Sequence, residues 1–251
     1  MEYLKKNPLY SEHLKKGEKC IIACFGIFRD LEKTDPELCK ILLSPSFDAQ
    51  DIEVIDYDAK PSDGRNIGAK TAGYQTYVIS SVSDRDKITR YLYDCTSVFA
   101  VGREKKTGKN ISFLSHQDPK KFLKERYQEQ FTNDLTNSLE ELKGRCVKGT
   151  IDVVISGGLY PRKHPGAKWS WKEAEIFRGL YKSSVSLLSE IVMEVFGFEP
   201  AVISGPKKVE RSDSVLCVNK TRRMFIARPQ VGNATTESFL PINLEIQEEK
   251  W

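Results

Sequence analysis

The sequence predicts a mixed α/β fold: a single domain, residues 1–251, with a mixed or antiparallel β-sheet or sandwich core flanked by long amphipathic helices. Three observations carry that expectation. Short β-rich runs are joined by turn-forming residues. Two long segments repeat apolar side chains at three and four residues. A chain of 251 residues, 39% hydrophobic and 29% charged, can bury a core without disulfide or metal staples. In order, Glu18 to Phe28 reads as a buried strand, and Phe47 to Lys70, rich in Asp, Pro, Gly and Ser, reads as irregular. Thr76 to Ser80 is β-rich, and Ser83 to Arg85 opens a short helical segment running towards Tyr93. Ser97 to Gly102 and Asn110 to Ser115 read as a hairpin, with Gly108 supplying a positive φ in its loop.

Asp118-Pro119 then makes a helix start, with Asp as N-cap and Pro at the first helical position. Phe122, Leu123, Tyr127, Phe131, Leu135, Leu139 and Leu142 form the buried stripe of that helix, which stops near Gly144. Thr150 to Ser156 is an apolar strand ending in Gly157-Gly158, a tight turn or a place where backbone comes close to a site. The second long helix runs from about Ser170 to Phe196, with a stripe of Ile176, Phe177, Leu180, Leu187, Leu188, Ile191 and Val195 and Gly197 as C-cap. Ala201 to Ser204, Ser214 to Val218 and Arg223 to Ala227 complete the strands, the last two as a hairpin around Asn219-Lys220-Thr221.

Composition narrows the function. A net charge of +4 with scattered lysine pairs is a solvated surface, not the basic stripe of a nucleic-acid binder. The longest apolar run, Cys20 to Phe28, falls short of the roughly 18 residues of a membrane span. The start lacks the apolar core of a secretory signal, so the expected location is cytoplasmic, or export into a host cell without a classical signal peptide. Six cysteines and three histidines include no Cys-x-x-Cys or Cys-x-x-His pair, so no metal is expected and the thiols are expected to be mostly buried and reduced; no Gly-rich phosphate loop of nucleotide-binding type is present, and no organic cofactor is expected.

One pair stands out. A symmetric loop from Arg103 to Gly108 sets Val98 opposite Phe113, Ala100 opposite Ile111 and Cys95 opposite His116. By strand alternation, 98, 100, 111 and 113 share one apolar face, while 95, 97, 99, 112, 114 and 116 share the other. Thiol and imidazole then meet at the open end of the hairpin. Such a pair permits nucleophilic acyl transfer: a neighbouring imidazolium lowers the thiol pKa, the thiolate attacks an amide carbon, and the histidine protonates the departing nitrogen. A buried structural cysteine beside a strand-end histidine is the alternative. Asp118 could orient His116 but is better explained as a helix cap, and Asp94 has no catalytic role because its charge would raise the thiol pKa.

The run from Thr89 to Val101, TRYLYDCTSVFAV, followed by a strand ending Ser115-His116, resembles the Cys-His protein-glutamine deamidases, the superfamily of CheD, the cytotoxic necrotizing factor catalytic domain and Burkholderia lethal factor. In CheD and the lethal factor a threonine precedes the nucleophilic cysteine by six residues, as Thr89 precedes Cys95, and a histidine lies on the next strand. The resemblance implies a deamidase-like core at about 76–230, Cys95 as nucleophile, His116 as general acid/base, and Thr89 bonding to the imidazole to orient it. Gly157-Gly158 loosely echoes a CheD glycine pair. The chain departs from CheD at Tyr91-Leu92-Tyr93-Asp94, where CheD has Gly-x-Gly-Ser.

The expected function is therefore a hydrolase that deamidates a glutamine side chain of a protein substrate, with no nucleic-acid or membrane partner. A cysteine protease or amidase, a transglutaminase, and a non-catalytic binding protein on the same fold are the alternatives.

Overall fold

The structure, a computed structural model, describes residues 22–27, 52–56, 67–71, 74–159, 170–205, 212–220 and 222–228. Among them the elements are β1 (Ile22–Ile27), β2 (Ile52–Val54), β3 (Ile67–Thr71), β4 (Tyr74–Ile79), β5 (Asp86–Leu92), β6 (Thr96–Arg103) and β7 (Asn110–Gln117). There follow α1 (Pro119–Phe122), α2 (Glu125–Arg145), β8 (Asp152–Gly157), α3 (Trp171–Phe196), β9 (Ala201–Ser204), β10 (Asp213–Val218) and β11 (Arg223–Arg228). The strands form two mixed sheets, β1-β11-β10-β5-β2 and β3-β4-β7-β6-β8-β9. The mixed α/β class expected from the sequence is present.

The alternation of side chains along β6 and β7 builds the layers. Phe99, Val101 and Leu114 join Leu92, Val215, Cys217, Met224 and Ile226 in a cluster between the sheets. Val98, Ala100, Ile111 and Phe113, one residue out of phase, face the other way and pack with Phe131, Leu135 and Leu139 of α2 and Leu188, Ile191 and Val192 of α3. The order is thus sheet, sheet, helices. Full burial of each large apolar side chain stabilises this arrangement by roughly 1.5–3 kcal/mol.

Helix ends follow local chemistry. The Asp118 side chain accepts from the Lys120 N–H at 2.9 Å, and Pro119 occupies the first turn as expected. Ser170 and Glu173 form a reciprocal capping box at the start of α3, and Gly197 ends it at φ 75°.

Four expectations need correction. The stretch expected to be irregular, Phe47 to Lys70, contains β2 and most of β3, while 57–66 lies outside the described residues. The helical segment expected after Ser83 is β5, where Lys87, Ile88, Thr89 and Arg90 are all buried. Polar residues buried in sequence erase the two-residue alternation that marks a strand. The single helix expected from Asp118 to Gly144 is two, broken at Leu123-Lys124, where Lys124 is extended with ψ 133°, and the second continues to Arg145. Ile176 of the α3 stripe is 53% exposed, because the buried side of that helix begins at Tyr181.

The β6–β7 register is also shifted by two residues: Ala100 pairs with Phe113, Gly102 with Ile111 and Arg103 with Asn110. The Glu104 N–H donates to the Lys109 carbonyl at 2.8 Å and the Gly108 N–H to the Glu104 carbonyl at 3.0 Å, so Arg103 extends the strand and the loop tightens around Gly108 at φ 70°. An even shift keeps every side chain on its expected face.

Candidate active site

The site forms where the chain passes between sheets. β5 belongs to one sheet and β6 to the other, so Tyr93, Asp94 and Cys95 make the crossing. The exit from β5 is bent by a bulge: the β5–β10 register slips between Thr89↔Val215 and Leu92↔Asp213. Tyr91, inside the slip, has φ 59°, costly for a residue with a Cβ. Strands that switch sheets commonly do so through such bulges. The bulge delivers Cys95 to the cluster between the sheets, together with Val78, Leu92 and Leu114.

His116 comes from the opposite sheet, on β7 beside Val78 of β4. Its parity matches Leu114, so it points between the sheets, where it is 2% exposed. The observed register corrects direct opposition of Cys95 and His116: Thr96 pairs with Gln117, which sets His116 diagonal to Cys95 on the same face. Diagonal neighbours are about 7–8 Å apart at Cα, against about 5 Å for opposed pairs.

Thr89 of β5 reaches His116 across the sandwich, with Oγ1 at 2.8 Å from Nδ1. The same oxygen lies 2.8 Å from the Ile55 carbonyl and 3.2 Å from Asp56 Oδ1, at the end of β2. These contacts favour one tautomer. A hydroxyl has one proton to give, and a carbonyl or carboxylate can only accept. With the Thr89 proton directed to Ile55 or Asp56, the bond to histidine must run from Nδ1–H to Oγ1. Nε2 is then the nitrogen that carries the lone pair.

Burial, the dominant influence, pushes the His116 pKa down from 6.5 to about 3; the Ile55 carbonyl and the Asp94 carboxylate pull it back in part. The imidazolium expected beside the thiol is thus replaced by a neutral ring. Asp94 is 2.5 Å from Lys120 Nζ of α1, and the same ammonium lies 4.6 Å from the centre of the Phe177 ring on α3. The helix layer therefore touches the crossing directly.

Two glycines hold the backbone of Cys95. The Gly158 N–H donates to the Cys95 carbonyl at 2.7 Å. A Cβ on Gly157, at φ 90°, would stand 2.5 Å from that carbonyl oxygen, and one on Gly158, at φ 79°, would stand 2.3 Å from the Tyr181 ring. Gly205 closes the stack: its N–H donates to the Gly157 carbonyl at 2.9 Å, and its own Cβ would meet the Gly158 oxygen at 2.3 Å. The glycine pair is thus a close backbone approach to Cys95. Ile55, Asp56 and Gly205 were not singled out in the sequence; the first two lie in the stretch expected to be irregular, and nothing in their spacing marks them.

Asp118 caps α1, as expected, and its carboxylate is 3.3 Å from Lys121 Nζ. Cys146 and Cys217 are buried and free; burial pushes the first thiol up to about 11 and the second well above its ordinary value. His13, His164, Trp169, Cys20 and Cys39 lie outside the described residues, and Trp171 is 74% exposed. Among the described residues no cluster of three or more His, Cys, Asp or Glu could hold a metal ion, and no helix is long and apolar enough to cross a membrane. A scan against protein-family models finds no match to this chain, and a search of curated proteins finds none either.

Proposed function

We propose that the chain is a Cys-His protein-glutamine deamidase, with Cys95 as nucleophile, His116 as general base and acid, and Thr89 as the residue that orients the ring. The observation that carries the reading is the 2.8 Å contact of Thr89 Oγ1 with His116 Nδ1, made between residues of opposite sheets and on the face that also bears Cys95. A buried neutral imidazole needs an acceptor for its N–H, and Thr89 Oγ1 supplies one at Nδ1. Here that arrangement leaves Nε2 as the basic nitrogen.

With the ring neutral, the resting proton sits on sulfur. As the thiol attacks the glutamine side-chain carbonyl, His116 Nε2 takes that proton and hands it to the departing nitrogen, which leaves as ammonia. Water then attacks the thioester, giving its proton to Nε2, and glutamate is released with the thiol restored. A primary amine in place of water would give transglutamination through the same thioester. The chemistry calls on no metal or organic cofactor, and a thiol nucleophile suits a reducing compartment, resident or host.

The test incubates the full chain with methylated casein, a glutamine-rich protein whose lysines are blocked. Ammonia release with Gln-to-Glu conversion by mass spectrometry, abolished by Cys95→Ala, is the expected result. Backbone cleavage would instead identify a protease. No conversion, with native iodoacetamide labelling of all accessible thiols equally and without regard to His116→Ala, would refute catalysis in favour of a binding protein.

A further inference from the structure

The contacts around β2 reach one residue further than the three already named. Asp56 Oδ1 accepts from the Arg90 N–H at 2.7 Å and lies 3.2 Å from Thr89 Oγ1. A single carboxylate oxygen thus holds the backbone at the first residue of the β5 bulge and the hydroxyl that faces His116. Parallel pairing of β2 with β5, Val54 opposite Ile88, continues as the Ile55 N–H donates to the Ile88 carbonyl at 2.8 Å. That ladder delivers Asp56 alongside Thr89 and Arg90.

Resting on the deamidase reading, we propose that Asp56 is a positioning residue of the site, acting on His116 through Thr89. Two effects follow from the geometry. As an acceptor, the carboxylate joins the Ile55 carbonyl in keeping the Thr89 proton off Nδ1, so the ring retains the tautomer with Nε2 basic. As a negative charge two hydrogen bonds from the ring, it stabilises the imidazolium that forms when Nε2 takes the thiol proton. The line runs Asp56, Thr89, His116, with the ring as the only member that exchanges protons with the reacting atoms. The anchoring to Arg90 also ties the carboxylate to the bend that leads to Cys95, so ring and nucleophile are referred to one support.

Asp56→Asn is the informative variant, because its amide oxygen can still accept from the Arg90 N–H while the charge is lost. The full chain, labelled with nitrogen-15 histidine, shows three sets of ring signals, one for each histidine, and His116→Asn identifies the relevant one. In the wild type the His116 signals should report a protonated Nδ1 and an unprotonated Nε2. Asp56→Asn should displace those signals, and native iodoacetamide labelling of Cys95 should slow about tenfold, the scale of a hydrogen bond to a charged group. In a Thr89→Val background the same substitution should change labelling little, since its route to the ring is gone. Wild-type signals of the opposite tautomer, ring signals unmoved by Asp56→Asn in a folded protein, or an equal effect on labelling in both backgrounds would overturn the proposal. The ring signals decide it without enzyme activity: if they move as expected while casein is not deamidated, the deamidase reading fails and the role of Asp56 stands.

Discussion

Replacing His116 with glutamine should change how stability depends on pH, in a direction and size set by burial. The ring is 2% exposed, so solvent does little to screen its environment, and its pKa lies at about 3 against 6.5 for an ordinary imidazole. Above pH 6.5 the ring is neutral in both folded and unfolded chains and contributes no pH dependence. Below that value the unfolded chain binds a proton that the native site refuses, so acid favours unfolding. The loss is about 1.4 kcal/mol per pH unit and accumulates to roughly 4–5 kcal/mol by the folded pKa. Urea unfolding of wild type and His116→Gln between pH 7.5 and 4.5 isolates this contribution from other titrating groups. The stability difference should be constant down to about pH 6.5 and then move against the wild type by roughly 2–3 kcal/mol by pH 4.5. Parallel curves over the whole range would show that the ring titrates normally in the native protein, and the neutral-base mechanism would fall with that result.

Three further outcomes follow from the same contacts. Gly157→Ala places a Cβ at φ 90° against the Cys95 carbonyl and should destabilise by roughly 2–4 kcal/mol in urea melts, with slower labelling of Cys95. All three of Cys95, Cys146 and Cys217 are buried, but native iodoacetamide should modify Cys95 alone, as peptide mapping will read, because Cys95 shares its face with His116 and is 7% exposed against 1% and 0%, while burial raises the pKa of the other two thiols. Lys87→Met leaves the Glu53 carboxylate, 1% exposed and 3.4 Å from Lys87 Nζ, buried without its cation; the expected loss is about 3–5 kcal/mol, largely recovered on adding Glu53→Leu.

Legibility differed among the strands for a physical reason. β6, β7 and β8 bury apolar side chains along much of their length, and their boundaries could be read within a residue or two. β5 could not, since Lys87, Thr89 and Arg90 are polar in sequence yet buried: Lys87 meets Glu53, Thr89 meets Ile55, Asp56 and His116, and the Arg90 backbone N–H donates to Asp56. β2 was hidden in the same way, as Glu53 takes an interior position opposite Lys87. The two-residue error in hairpin register arose from the loop, whose tightening at Gly108 depends on hydrogen bonds that composition does not encode. The face assignment survived because alternation depends only on parity.

With Thr89 supplied by the resemblance to the Cys-His deamidases, the sequence by itself determined the mixed α/β class, the capped helices, which side chains of the central hairpin share a face, and the choice of Cys95 and His116 as a candidate pair. These depend on local periodicity, on capping chemistry and on spacing along one chain. Tertiary structure decided what surrounds them. The packing of two sheets brings Thr89 to His116, the pairing of β2 with β5 sets Ile55 and Asp56 beside Thr89, and the pairing of β6, β8 and β9 places Gly157 and Gly158 against Cys95 with Gly205 behind them. It also decided the protonation state of the histidine. Desolvation belongs to a site and not to a residue, so a ring that sequence leads one to expect charged is held neutral once the sandwich closes over it.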